Sequence, residues 1–360
     1  MGEKEVLKVL HKNSQVCILF LIMLLFSSAC TNQVANEPKK ADRIKLVSDD
    51  GKPYIGFVLD TLKEERWYKD KALFEEKVVQ MGGQVKTLAA NGLDDIQIKQ
   101  AELLIQEGAD VLVVVPHNAE ISAKIVDMAH KAGVKVISYD RLIKNSKVDY
   151  YISFDNEKVG ELQASEVVKK VSKGNFAYIG GAESDNNAVL FRKGAMKVIQ
   201  PLIDKGDIKI VYDQYTDEWK PETAQKNMQS ALEQNSNQID AVIAANDGTA
   251  GGVINALSSA GLSGNIPVSG QDAELMGVKR IVEGTQTMTV YKPITLLAGK
   301  VAEVAVKAAK GEKVATDRTV NNGEIDVPSI LLDPIAVTKN NIKDTVIKDG
   351  YLTEEELYKK

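Results

Sequence analysis

From Tyr54 onward, short apolar runs alternate with longer segments in which apolar residues recur at a helical period. About ten runs are rich in apolar and β-branched residues: YIGFVLD, QVKTLAAN, ADVLVVVP, VKVISYD, YYISFD, NFAYIGG, IKIVYDQY, AVIAAND, IPVSGQD and TMTVYK. Helical segments such as 65–81 and 96–106 lie between most of them. Strand, helix and strand at this spacing predict parallel sheets with right-handed crossovers. Because ten strands are many for one open sheet, we expect an α/β fold with two doubly wound lobes.

The N-terminal segment 1–30 has a different pattern. Lys4, Lys8 and Lys12 precede the apolar run VCILFLIMLLF, which is followed by SSAC. A charged head, an apolar stretch and small residues before a cleavage site indicate a secretory signal. The apolar run is short for a transmembrane helix, which needs roughly 20 residues.

The sequence SSAC resembles a bacterial lipoprotein signal, and the resemblance implies that Cys30 becomes the lipidated first residue. Ser27 stands where leucine is usual in such a signal, so an uncleaved anchor and simple secretion remain alternatives. The polar segment 31–51 is predicted to be a flexible tether. A lipid or an anchor would hold the protein through its N-terminus at the extracytoplasmic face of the cell membrane.

Composition and motifs argue against several classes of protein. The net charge is -5, so no basic surface for nucleic acid is indicated. The two cysteines, Cys17 and Cys30, both precede the tether, so the body of the chain has no disulfide and no cysteine metal site. A G-x-S-x-G elbow, a zinc HExxH motif and a P-loop are absent, and neither an enzyme nor a cofactor is predicted. A sugar-responsive repressor would carry a helix-turn-helix where this chain has its signal.

Polar side chains collect where the predicted strands end, which is where open parallel sheets bind ligands. These strand ends contain Asp60, Asn91, His117, Asn118, Asp140, Arg141, Asp155, Asn156, Asn246, Asp247, Gln271, Asp272 and Lys292. Asp and Asn also cap helices, so Asp60, Asn91 and Asp155 remain candidates for caps or hinge residues. Capping does not explain Arg141 and Lys292, which indicates a binding site.

This mixture of carboxylates, amides and cations indicates a sugar site. Each sugar hydroxyl both donates and accepts, so planar polar side chains can bridge neighbouring hydroxyls. The apolar faces of the ring can pack against Trp67 and Trp219, which follow two of the strands. A phosphate would need a glycine-rich turn before a helix, yet the nearest candidate, IGGAESDNNA, contains two acids. The pair Asp140 and Asp272 could suggest a glycosidase, but both acids suit hydroxyl binding better.

Longer motifs carry a family resemblance. LKEERWYKD, YDRLI, YYISFDNEKVGELQA, DNNAVLFRKGAMKV and GTQTMTVYKPITLLA resemble the xylose-binding branch of the bacterial type I periplasmic sugar-binding proteins. The similarity extends from about residue 52 to residue 357. It implies a protein that captures D-xylose in a cleft, closes over it and delivers it to the permease of an ABC transporter. The alternative is a sensor whose closed form contacts a membrane histidine kinase.

The same resemblance implies the ligand residues and the hinge. The implied sugar ligands are Arg66, Trp67, Asp140, Arg141, Asn187, Arg192, Trp219, Asn246, Asp272 and Lys292. His117 stands where the family is expected to have tyrosine, and a surface role is expected for it. Lobe one is predicted as 52–156 plus 293–328 and lobe two as 157–292 plus 329–360. The chain would cross between the lobes three times, near Asn156, Lys292 and Pro328.

Overall fold

The computed structural model describes residues 51–359. The predicted signal segment, Cys30 and all of the tether except Gly51 lie outside that range. Within it, no helix is long and apolar enough to cross a membrane. The same residues contain no group of His, Cys, Asp and Glu side chains arranged to hold a metal ion.

Strands and helices alternate along most of the chain. The strands are β1 (Tyr54–Leu59), β2 (Gln84–Ala89), β3 (Val111–Val114), β4 (Lys135–Tyr139), β5 (Tyr150–Phe154), β6 (Gly174–Ile179), β7 (Ile208–Gln214), β8 (Ala241–Ala244), β9 (Met288–Tyr291), β10 (Arg318–Asn321), β11 (Asp326–Leu332) and β12 (Ile335–Thr338). The α-helices are α1 (Glu65–Gln80), α2 (Asp94–Gln106), α3 (Ala123–Lys131), α4 (Asn156–Val168), α5 (Asn186–Asp204), α6 (Pro221–Gln234), α7 (Asp247–Ser259), α8 (Leu275–Glu283), α9 (Ile294–Ala309) and α10 (Glu354–Tyr358).

The strands form one large sheet and two smaller ones. The 7-stranded sheet has the order β10-β11-β5-β4-β3-β1-β2, and all its pairs are parallel except β10 with β11. The 3-stranded sheet has the parallel order β7-β6-β8, and β12 pairs with β9 in an antiparallel ladder. The predicted α/β class is confirmed. The expectation of parallel pairing alone is wrong at these two antiparallel pairs.

Both main sheets are covered by helices on their two faces. On one face of the large sheet, Phe57 and Tyr139 pack with Phe74 of α1 and with Leu297 of α9. Helices α2 and α3 supply the apolar side chains of the other face. Helices α6 and α7 cover one face of the 3-stranded sheet, and α4 and α5 cover the other. Burial on both faces explains why these strands read as continuous apolar runs.

Close packing of α4 against α5 depends on two glycines. A Cβ atom at Gly160 would clash with the backbone carbonyl of Phe191, and one at Gly194 would clash with the carbonyl of Glu157. The absence of side chains therefore lets the two helix backbones approach each other. This approach fixes the N-terminal part of α5, which carries Asn187, beside the carboxyl ends of the strands.

Candidate functional site

A cavity lies at the carboxyl ends of strands from both main sheets. It contains about 300 Å³ of space between atoms, including space that is open to solvent. Its walls are Glu64, Arg66, Trp67, Asp140, Arg141, Asp185, Asn187, Phe191, Trp219, Asn246, Gln271, Asp272 and Lys292. Nine of the ten side chains that the sequence predicts as sugar ligands are in this set. The structure does not bring the tenth, Arg192, to the cavity.

Arg192 points to a different side of α5. Its guanidinium forms a salt bridge with Asp213 of β7, and its side chain is 38% exposed. Asn187 and Phe191 are four residues apart, so they share the face of the helix that meets the cavity. Arg192 follows one residue later, about 100° further around the helix axis.

Asp140 is presented to the cavity by an unusual backbone conformation. It follows the last residue of β4 and has a φ of 60°, in the left-handed region that Asp tolerates better than most residues. The hydroxyls of Tyr151 and Ser153 donate to its carbonyl oxygen, at 3.2 and 2.5 Å. These bonds hold the turn and leave the carboxylate facing the cavity.

Three donors converge on the Asp140 carboxylate. Arg66 Nη1 lies 3.4 Å from it, and Asn187 Nδ2 and Lys292 Nζ each lie 3.3 Å from it. Burial alone would raise the pKa of Asp140, but the charges of Arg66, Lys292 and Arg141 outweigh burial and lower the pKa. Asp140 is therefore a fixed anion at neutral pH.

Arg66 links two carboxylates that line the cavity. Its Nη1 group contacts Asp140 and also lies 3.2 Å from Asp272 Oδ1. Asp272 follows the predicted strand IPVSGQD and has a φ of 90°. Burial opposes the charge of Arg66, yet the carboxylates of Asp140, Asp70 and Asp272 raise its pKa well above the ordinary value. The site therefore holds permanent charges of both signs.

Arg141 is held from two directions. Its Nη1 donates to Asp60 Oδ2 at 2.6 Å, and its Nε lies 2.8 Å from Asp185 Oδ2. Asp60 in turn lies 2.8 Å from Nδ1 of His117, which does not line the cavity. This hydrogen bond raises the pKa of His117 despite its partial burial. His117 therefore contacts Arg141 only indirectly, through Asp60. Its side chain is half-buried, so the expected surface role is wrong.

Two tryptophans, Trp67 and Trp219, form parts of the wall. The guanidinium of Arg66 lies 4.3 Å from the ring centre of Trp67, and that of Arg141 lies 5.3 Å away. The Trp219 ring meets Phe191 edge-on at 6.4 Å. It also covers Gly181, where any Cβ atom would clash with the indole. Each apolar ring is therefore fixed in place by its neighbours.

Four cavity residues were not predicted as ligands: Glu64, Asp185, Phe191 and Gln271. Two of them could have been predicted from the sequence. Gln271 lies at a predicted strand end, and Phe191 follows the predicted ligand Asn187 by one helical turn. Burial raises the pKa of Glu64. Among the described residues, Glu64 Oε2 and Trp219 Nε1 are buried and have no hydrogen-bond partner. The site therefore has spare capacity for a polar ligand.

Fixed anions, cations, amides and indoles in one small cavity suit a polyhydroxylated ring. The sequence profile described as periplasmic binding protein domain matches residues 55–313. The chain belongs to the periplasmic binding protein family. Over 303 residues it is 54% identical to the D-xylose-binding periplasmic protein of Escherichia coli (strain K12), covering 84% of this chain and 92% of that protein. It is 36% identical over 326 residues to the multiple sugar-binding periplasmic receptor ChvE of Rhizobium radiobacter, covering 84% and 92%.

Solved structures of solute binding proteins have the same fold. A carbohydrate transporter solute binding protein from Chloroflexus aurantiacus, in complex with D-glucose, matches with a TM-score of 0.79 and 34% identity. The match covers 84% of this chain and 97% of that one. The predicted fold is therefore confirmed. The relatives are named as binding proteins, which also confirms the prediction of a binding protein instead of an enzyme.

Proposed function

We propose that this periplasmic binding protein captures D-xylose in the cavity and delivers it to the permease of an ABC transporter. The observation that carries the proposal is the set of fixed donors and acceptors that line the cavity together with Trp67 and Trp219. The choice of sugar is supported by 54% identity to the D-xylose-binding periplasmic proteins of Escherichia coli and Haemophilus influenzae.

The cavity residues divide into three proposed roles. Asp140 and Asp272 accept hydrogen bonds from sugar hydroxyls, because carboxylates carry several lone pairs and no proton to donate. The donors are Arg66, Arg141, Asn187, Asn246 and Lys292. The indoles cover the apolar faces of the ring. Arg192 takes no part, while Glu64 and Gln271 join the set.

We also propose that the sugar is enclosed between two lobes, with crossings near Asn156, Lys292 and residues 333–334. The first sheet keeps β11 paired to β5 as far as Leu332, and β12 then pairs with β9. The sequence predicted the third crossing near Pro328. This pairing supports a crossing a few residues later, after Leu332. Hydrogen bonds outside the cavity would then also join the lobes without the sugar. Examples are Ala119 N to Ser184 O, 2.9 Å, and Leu275 N to Glu65 Oε2, 3.1 Å.

Calorimetric titration with a panel of pentoses and hexoses tests the proposed ligand. D-xylose should bind with one site per chain, and D-glucose and D-ribose should bind much more weakly. Equal affinity for glucose would contradict the proposed specificity. Small-angle scattering of the same samples tests closure, since saturating D-xylose should reduce the radius of gyration.

The location that we propose is the extracytoplasmic side of the membrane, with attachment through lipidated Cys30. The signal pattern supports this attachment, so Cys30→Ser should release the protein from the membrane fraction. The alternative to transport is a sensor role, in which the closed protein contacts a membrane histidine kinase. Co-purification with a permease or with a kinase, after crosslinking in the presence of D-xylose, separates these two partners.

A further inference from the structure

We propose that Asp70 is a positioning residue for sugar binding: it fixes the guanidinium of Arg66, and Tyr139 fixes Asp70 in turn. The inference rests on the proposed D-xylose site and deepens it. Neither Asp70 nor Tyr139 lines the cavity, so both act through Arg66 instead of touching the sugar.

Asp70 and Arg66 lie one helical turn apart on α1. Arg66 Nε donates to Asp70 Oδ2 at 2.9 Å, and Arg66 Nη2 donates to Asp70 Oδ1 at 3.3 Å. Two parallel bonds of this kind fix the plane of a guanidinium as well as its position. They occupy one edge of the group and leave Nη1 directed at Asp140 and Asp272.

Tyr139 holds Asp70 from the sheet. Its hydroxyl donates to Asp70 Oδ1, and its fully buried ring lies 5.4 Å from Phe57 and 6.2 Å from Phe74. Tyr139 directly precedes Asp140. Two consecutive residues therefore act on Arg66 from different sides. Tyr139 holds Asp70, which binds one edge of the guanidinium, and Asp140 faces the Nη1 group in the cavity.

A purely structural role explains Asp70 poorly. Its side chain is fully buried, and a buried ion pair is often no more stabilising than apolar side chains of the same size. The next residues on this face of α1, Phe74 and Val78, are apolar core residues. A carboxylate at position 70 can orient the guanidinium of Arg66 through two hydrogen bonds, whereas an apolar side chain cannot.

Titration with D-xylose and with four analogues, each lacking one ring hydroxyl, tests the role of Asp70. Arg66→Lys first identifies the hydroxyl that Arg66 contacts, because the analogue lacking that hydroxyl is weakened least by the substitution. Asp70→Asn should weaken D-xylose binding roughly tenfold or more and should spare the same analogue. Tyr139→Phe should give the same pattern with a smaller loss. Val78→Ala, the matched control, should lower the melting temperature and leave the pattern of analogue affinities unchanged.

Two results would overturn the inference. One is an Asp70→Asn variant that binds D-xylose like the parent, and the other is an equal loss for the sugar and all four analogues. If Asp70→Asn does not fold, the analogue pattern of Tyr139→Phe decides the question alone. A parent protein that binds none of the sugars would refute the proposed function, whereas normal parent binding with uniform losses refutes only the positioning role.

Discussion

Asp140 provides the sharpest test of the proposed site, because its carboxylate receives Arg66, Asn187 and Lys292 together. Asp140→Ala removes this shared carboxylate; Arg66 keeps Asp272 and Asn187 keeps the backbone carbonyl of residue 140 as acceptors, so Lys292 is affected most. Lys292 is 3% exposed, and Asp140 is its one salt-bridge partner among residues 51–359. The substitution therefore leaves a buried ammonium group without a counter-charge.

The structure sets the size of the effect. Breaking a buried ion pair costs about 3–5 kcal/mol of unfolding free energy. Contacts of 3.3–3.4 Å are long for charged hydrogen bonds, which favours the lower end of that range. Alanine in the left-handed conformation of Asp140 adds about 1 kcal/mol. Loss of the buried acceptor should cost about 2–5 kcal/mol in D-xylose binding, which is roughly thirtyfold or more in Kd.

Three variants separate the ion pair from the sugar contact. Asp140→Asn keeps the shape, one acceptor and a residue that tolerates positive φ, so both losses should be smaller than for alanine. Asp140→Ala/Lys292→Met removes both charges, so stability should recover in part while binding does not. Urea unfolding and calorimetry measure the two quantities. An Asp140→Ala variant with the parent's urea midpoint and the parent's D-xylose affinity would refute the reasoning.

Three further predictions concern single positions. Gly181→Ala should force the Trp219 indole out of place and weaken D-xylose binding at least as much as Trp219→Ala; unchanged affinity would show that the wall adapts. Burial and neighbouring carboxylates raise the pKa of Glu274 to about 9. The folded state therefore favours protonated Glu274, and unfolding free energy should fall as pH rises from about 5 to about 9. Urea unfolding should show Glu274→Gln flattening that fall, and equal slopes would contradict the assignment. Arg192→Ala should leave D-xylose affinity unchanged in calorimetry, since Arg192 contacts Asp213 and not the cavity; a large loss would return Arg192 to the site.

Nine of the ten predicted ligands line one cavity, and many of them follow strands because parallel strands deliver their carboxyl ends to one edge of a sheet. A linear motif could not show which face of α5 meets the cavity, so Arg192 was grouped with Asn187. Nor could it reveal the contact between Asp70 and Tyr139, which lie 69 residues apart along the chain. Such pairs become visible only when helix and sheet are packed together.

The strand pattern was accurate in the interior of the sheets and less so at their margins. The run IPVSGQD forms no strand and makes a single bridge, from Val268 to Val242. Pro267 within this run has no N–H group for a ladder. None of the last three strands, β10, β11 and β12, is among the predicted runs. Most of their residues are exposed or only partly buried, and β10 lacks the apolar run that marks a buried strand.

The most direct test of the account is a crystal structure of the protein grown with D-xylose. The account predicts one pyranose ring between Trp67 and Trp219. Its hydroxyls should lie within hydrogen-bond distance of Asp140, Asp272 and Lys292. A sugar bound elsewhere on the protein, or a cavity without sugar at a saturating concentration of D-xylose, would contradict it.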